Sequence, residues 1–209
     1  MATEIRTKAI DADAHVIESE HTWEFMEGAD QKFRPKLFTS ADDPTRQHWV
    51  VDGKMVGLRL PTLNEQQLRA LSDRSGRHLM TAPEAREMDD VGLRLKHMDE
   101  LGVDMQVLHN TLWIREITRR PEIDVALTTS WNKWMAEVWK QGQGRLRWAS
   151  VLPLTDIPSA IDMMRFAKDN GAVGVVMKPF DGDRFMLDPY FYPFYAEAER
   201  LDMTITIHI

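Results

Sequence analysis

From residue 84 onward the chain keeps one rhythm: a short, nearly continuous apolar run, then an amphipathic stretch, then another apolar run. The runs "VDMQVLHN", "LRWASVLPL", "AVGVVMK" and "MTITIHI" are too apolar for strands with one wet face. Strands buried on both faces belong to parallel sheets covered by helices. Helical signals fill the gaps. Thr81-Ala82-Pro83-Glu84 has capping-box spacing, and Val91, Leu95, Met98 and Leu101 recur at helical intervals before Gly102. "RRPEIDVALTTSWNKWMAEVWKQGQG" carries the stripe Ile123, Leu127, Trp131, Trp134 and Val138, with Pro121 near its start and Gly142 past its end. Its tryptophans 131, 134 and 139 read as packing in preference to an aromatic ligand cage. "TDIPSAIDMMRFAKDNG" is a helix that Thr155 can cap and Gly171 can end, and "DPYFYPFYAEAERLD" is one entered through Asp188-Pro189.

With "KAIDADAH" as an opening strand, this predicts five strands, at 9–14, 103–108, 146–152, 173–178 and 203–208. A doubly wound sheet and a (β/α)8 barrel both begin this way. No Gly-rich phosphate loop follows the first strand, which speaks against a nucleotide-binding fold. No Gly-x-Ser-x-Gly turn follows any strand either, so a serine hydrolase fits poorly. Residues 17–83 are less regular. They hold a short helical segment within "HTWEFMEGADQKFRP" and a hairpin, "HWVVDGKMVGLRLP", turning at Asp52-Gly53. The expected organisation is one domain, 1–209, with an irregular insertion at about 17–83 that leans over the active face.

Lys and Arg number 26 against 33 Asp and Glu, a net charge of −7, so there is no basic surplus to neutralise phosphates and nucleic acid is not the expected partner. The absence of cysteine excludes disulfides and thiolate ligands, leaving His and carboxylates for any metal. No apolar run is long enough for a bilayer span, and "MATEIRTKAI" lacks a signal-peptide core, so the expected location is cytoplasmic with no membrane partner.

In parallel α/β proteins, functional side chains gather at the C-terminal ends of the strands. Those ends supply Asp13 and His15, then His109 and Asn110, then Lys178, then His208. Strand alternation places Asp11, Asp13 and His15 on one face. That set suits a divalent metal, and equally a solvated edge or an aspartate cap. Two histidines and a carboxylate at one sheet end strengthen the metal reading, for zinc, manganese or iron.

"DADAHVIE", "LRLKHMDELGVDMQVLHN" and "DPYFYPFYAEAERLDMTITIHI" occur in an order that resembles the amidohydrolase-related metal-dependent family. This is the branch containing aminocarboxymuconate-semialdehyde decarboxylase and γ-resorcylate decarboxylase. The resemblance covers residues 8–16 and most of 84–209. It implies an α/β fold of the (β/α)8 type with about five of eight units in this chain. It also implies one divalent metal, zinc first, held by Asp13, His15 and His208, with Asp11 in support. Family members are longer, adding three strands, another active-site histidine and a metal-binding aspartate that moves a proton. The expectation is therefore an N-terminal part, a split-barrel subunit, or a half-barrel closed by association, with the first and fifth strands as open edges.

The implied function is a metal-dependent hydrolase or non-oxidative decarboxylase acting on a small organic acid, aromatic acids included, or on an amide, ester or lactone. The alternative is a non-catalytic half-barrel needing a partner chain or a homo-oligomer. His109 is the candidate catalytic residue, orienting substrate or transferring a proton, and equally suits a structural bond to a carbonyl. Glu18 is expected behind His15. Lys178 reads first as a surface lysine, and second as a partner for a substrate carboxylate. His21, His48, His78 and His97 read as surface residues, while Arg145 and Arg147, at the start of the third strand, are expected to face solvent.

Overall fold

Strands apolar on both faces need cover on both, and the helices supply it on one. The computed structural model describes residues 8–43, 47–59, 65–76 and 83–208, so Thr81, Ala82 and His78 lie outside the described residues. In chain order the elements are β1 (Ile10–His15), β2 (Lys36–Thr39), β3 (Gln47–Val51), β4 (Lys54–Arg59), α1 (Glu65–Ser75), α2 (Pro83–Arg86), α3 (Val91–Leu101) and β5 (Met105–His109). There follow α4 (Pro121–Gln141), β6 (Leu146–Val151), α5 (Ile157–Asp169), β7 (Ala172–Met177), β8 (Phe180–Asp181), β9 (Arg184–Phe185), α6 (Tyr192–Arg200) and β10 (Thr204–Ile207). Short 3-10 turns occupy Glu20–Trp23, Gly28–Phe33, Leu112–Ile114 and Pro189–Phe191. No helix among the described residues is long and apolar enough to cross a membrane.

The main sheet is parallel, in the order β1-β5-β6-β7-β10, so each new strand joins beside the last. A doubly wound sheet reverses its order at a switch point; this one does not. Successive helices also touch, α3 on α4, α4 on α5 and α5 on α6, which places them on one face. In a flat sheet the outer strands β1 and β10 would stand about 19 Å apart, four inter-strand spacings. Yet His15 and His208, at their ends, bring Nε2 atoms to 3.2 Å. The sheet is curled, and the fold is five units of a (β/α)8 barrel.

Local chemistry starts and stops these elements. Asp90 caps α3 by accepting from the Leu93 amide at 2.9 Å, and Gly102 ends it at φ +70°. Pro121 opens α4, where its missing N–H costs nothing. Asp156, and not Thr155, stands at the cap of α5, with Ser159 donating to its carboxylate. Thr155 donates instead to Asp124 Oδ2 at 2.7 Å. The predicted stripe on α4 is buried, and Trp131 packs among Trp113, Trp134 and Trp148 at centroid distances of 6.0–6.3 Å. These rings are core, not a ligand cage.

Between β1 and α2, strands β2-β3-β4 form an antiparallel sheet. Its β3–β4 turn is made by Asp52 (φ +50°) and Gly53 (φ +74°), the left-handed pair that a two-residue hairpin requires. Trp49 carries this sheet into the core against Trp23 at 5.7 Å. Gly57 on β4 meets Leu112, just past the C-terminal end of β5, so the small sheet borders the end of the barrel where β1 and β5 deliver their histidines.

Glu18 is buried at 2% exposure and ties this region to α4. Its carboxylate accepts from the Thr111 and Leu112 amides and from Trp131 Nε1, each at 3.0 Å. Burial pushes the carboxyl up from 4.5 to about 7 against the pull of these donors. The folded chain thus holds a proton that the unfolded chain has lost, so this group's contribution to stability is full below pH 4.5 and is lost as pH rises through about 7. Glu18→Gln should remove that slope. Unfolding measured at pH 4.5 and pH 8 should show the variant gaining ~3 kcal/mol relative to wild type across that interval.

Gly171 offers a second test. Its φ is +86°, and a Cβ there would lie 2.2 Å from the Trp139 indole. Gly171→Ala should lower stability in chemical denaturation by about 2–4 kcal/mol, combining backbone strain with overpacking.

Candidate metal centre

Regular alternation along β1 would place Asp11, Asp13 and His15 on one face. The structure departs from this. Asp11 pairs with Gln106 but Ala14 pairs with Leu108, so β1 carries one extra residue, a β-bulge. Asp11 stays on the helix-covered face, where Oδ2 accepts from Gln106 Nε2 at 2.9 Å. Beyond the bulge, buried Ala14 takes that face, and Asp13 and His15 turn to the inner side of the curl. The expected single-face trio is therefore corrected: Asp11 supports the site from behind, through a 3.2 Å bond from the Asp13 amide to its Oδ1.

On the inner side, His208 Nε2 lies 2.8 Å from Asp13 Oδ1, and His15 Nε2 lies 3.5 Å from the same oxygen. One ligand atom from each of Asp13, His15 and His208 falls within 4.8 Å of the others. The His208 contact holds the Asp13 carboxyl below its ordinary range, outweighing partial burial. His15 Nδ1 is 2.8 Å from the Asn110 carbonyl, which can only accept, so the proton sits on Nδ1 and the Nε2 lone pair faces Asp13 and His208. A metal-binding histidine is commonly oriented in this way. Two imidazole nitrogens and one carboxylate oxygen, with Asp13 at 75% side-chain exposure, make a three-ligand set open to solvent. These residues fit a divalent metal.

His109 completes the cluster. Its ring centroid is 5.1 Å from that of His208 and 6.0 Å from that of His15. Nε2 donates to the Ala12 carbonyl at 3.0 Å, at the bulge, while Nδ1 is buried without a protein partner among the described residues. Burial lowers its pKa, the Ala12 contact opposing.

Three expectations need correcting. Glu18 does not touch His15; it binds the turn after β5 and α4. Lys178 is not a surface lysine: its side chain is 18% exposed, stands 3.8 Å from Asp181 Oδ1, and lines a pocket at the ends of β6 and β7. Arg145 does not simply face solvent; it clamps the opposite end of the sheet through the Val103 and Asp104 carbonyls and Asp99. A pocket that the sequence does not signal lies beside Lys178. Trp113, Ile117, Leu152 and Leu154 form its apolar wall, with Asp124 and Asp181 among its polar groups. Burial raises both carboxyls, Asp124 to about 6. Asp124 lies in the first turn of a helix, where acidic residues are ordinary, so its sequence position carried no signal.

Two curated γ-resorcylate decarboxylases match part of the chain. That of Rhodococcus jostii (strain RHA1) is 32% identical over 137 residues, 60% of this chain and 41% of the relative. That of Rhizobium sp. (strain MTP-10005) is 30% identical over 132 residues, 59% of this chain and 40% of the relative. The matches thus span about 40% of the length of these relatives. A solved amidohydrolase of Mycobacterium avium subsp. paratuberculosis K-10 superposes with a TM-score of 0.70 over 98% of this chain and 59% of its own, at 17% identity, a likeness of fold. The amidohydrolase family model matches residues 10–209, from the first strand of the sheet through the last. Since one match runs through all five strands of the main sheet, the chain belongs to the amidohydrolase family, part of a metal-dependent superfamily.

Proposed function

We propose that this chain carries the metal-binding part of an enzyme that decarboxylates a small aromatic acid without oxidation. The observation that carries the reading is the meeting of Asp13, His15 and His208 ligand atoms from opposite edges of one sheet. The names of the two curated relatives favour decarboxylation over hydrolysis of an amide, ester or lactone. Zinc is the proposed ion, with manganese and iron as alternatives for the same donor set. Once bound, it supplies a Lewis acid for a substrate carboxylate and a neighbouring oxygen.

The chain's own residues do the rest. Asn110 fixes the His15 ring through Nδ1, so that Nε2 faces the site. Trp113, Ile117, Leu152 and Leu154 line a small cavity of about 40 Å³ at the same end of the barrel and meet an apolar edge of the substrate at its mouth. Lys178, paired loosely with Asp181, meets a polar substituent of that substrate. His109 acts as an orienting residue, because Nε2–H is committed to Ala12 and the ring is 3% exposed. Protonation of the carbon that loses CO2 falls to a group outside the ligand set, whose members are all committed to the ion.

A second reading is favoured by the open edges of the sheet. Ile10 on β1 is 61% exposed and Ile207 on β10 is 47% exposed, and both strands have one unpaired side among the described residues. Such edges recruit further strands. In that reading the chain works as part of a cytoplasmic assembly completed by a second copy or a partner chain.

Native mass spectrometry with elemental analysis tests both. One divalent ion per chain is expected, and Asp13→Asn or His208→Ala should reduce occupancy at least about 10-fold with unchanged circular dichroism. Unchanged occupancy in both variants would sink the metal reading, and a monomer at all concentrations would sink the assembly reading. CO2 release from hydroxybenzoates should stop on chelation and return with zinc; turnover of lactones or amides alone would assign hydrolysis instead.

A further inference from the structure

Resting on the metal reading of this site, we propose that Arg94, Gln106 and Asp11 form a directional hydrogen-bond chain that positions Asp13 and His15 by holding the bulge of β1. The bulge decides which way the ligands point. In an unbulged pairing with β5, Asp13 would stand opposite Leu108 and share its helix-covered face, and His15 would follow it there. The one extra residue sends both to the side where His208 waits.

The chain that holds this bulge has a fixed polarity. A guanidinium only donates, so Arg94 Nε, 2.8 Å from Gln106 Oε1, dictates which way the Gln106 amide is turned. That leaves Gln106 Nε2 as donor to Asp11 Oδ2 at 2.9 Å, and Asp11 must accept. The other Asp11 oxygen accepts the amide of Asp13 itself at 3.2 Å. Arg94 closes the loop by donating Nη2 to the His15 carbonyl at 3.4 Å. From the inner face, His109 Nε2 donates to Ala12, the other residue of the bulge, at 3.0 Å. The backbone on either side of Asp13 is therefore tied down from both faces of the sheet.

Stability alone does not account for this arrangement. Arg94 and Gln106 are both buried, in a layer otherwise filled by Leu95, Met98 and Leu108. Apolar side chains of similar volume commonly occupy such a position at no loss of stability, since a buried charge must offset its own desolvation. A ligand displaced by a fraction of an ångström, in contrast, weakens a metal site directly. The network touches the backbone of two proposed ligands, and no ligand side chain.

Cobalt(II) titration of the purified chain tests this, reading the dissociation constant and the visible d–d band alongside the denaturation midpoint. Gln106→Met keeps the volume and removes both polar links; Asp11→Asn sets an N–H donor against either the Gln106 donor or the Asp13 amide; Leu95→Ala is a core control outside the network. The expected result is that Gln106→Met and Asp11→Asn each weaken cobalt binding about 10- to 100-fold and alter the band. Leu95→Ala should lower the midpoint as much or more while leaving affinity within about 2-fold, a split that a purely structural role would not produce. Cobalt affinity and spectrum equal to wild type in the network variants overturn the positioning role and leave the metal reading intact. A wild-type chain that takes up no cobalt overturns both. Should Gln106→Met not fold, Asp11→Asn, at the half-exposed end of the network, decides the matter by the same readouts.

Discussion

The curl of the parallel sheet is the constraint on which everything else depends. Asp13 and His15 are separated from His208 by nearly two hundred residues and by four strand spacings, yet they form one cluster. Only a sheet bent toward closure lets its edge strands share a site. Helices cover the outer face of the curl: α3, α4, α5 and α6 touch in sequence and form a continuous layer. Strands also pack closely inside the sheet, as where Gly174 on β7 lies against the Thr204 carbonyl of β10; a Cβ there would lie 2.8 Å from that oxygen. Any side chain at 174 would push the last strand, and with it His208, away from the rest.

The two ends of the sheet do different work, as expected of a barrel. At the strand starts, Arg145 joins the carbonyls of Val103 and Asp104 to Asp99 in a structural staple. At the strand ends lie the three histidines, Asn110, and the pocket flanked by Lys178 and Asp181. Glu18 belongs to the supporting layer of that second end. By accepting the Thr111 and Leu112 amides it shapes the turn leaving β5, immediately after His109 and Asn110. Its bond to Trp131 anchors the same turn to the longest helix. A buried carboxylate in that place is costly, and its three N–H donors are the compensation.

The family match follows the order of residues along the chain, while the cluster follows from how the strands meet. The antiparallel sheet of β2, β3 and β4 sits beside that cluster's end of the barrel and joins the core through Trp49. Loops at that end are where this kind of barrel varies its chemistry.

Much of this was legible in the order of residues. Apolar runs that could not be half-wet strands marked four strands of the sheet to within about two residues, because burial on both faces leaves no room for polar alternation, and alternation itself marked the first. Gly102, Pro121 and the Asp52-Gly53 turn announced themselves through backbone chemistry that neighbouring residues cannot alter. Asp13, His15 and His208 are legible as candidates because strand ends are where such side chains gather, and the structure brings the three together. What the sequence could not contain was the bulge in β1, which depends on pairing with β5, nor the face on which Asp11 therefore lies. The surroundings of Glu18 and Lys178 are hidden for a related reason: a charged residue's environment is set by which distant amides, rings and carboxylates surround it. The sequence by itself determined the elements and the ligand types, since these follow from local periodicity and donor chemistry. Tertiary structure decided the curl that brings the edge strands together and the direction each candidate ligand points, since both are settled by contacts between strands far apart along the chain.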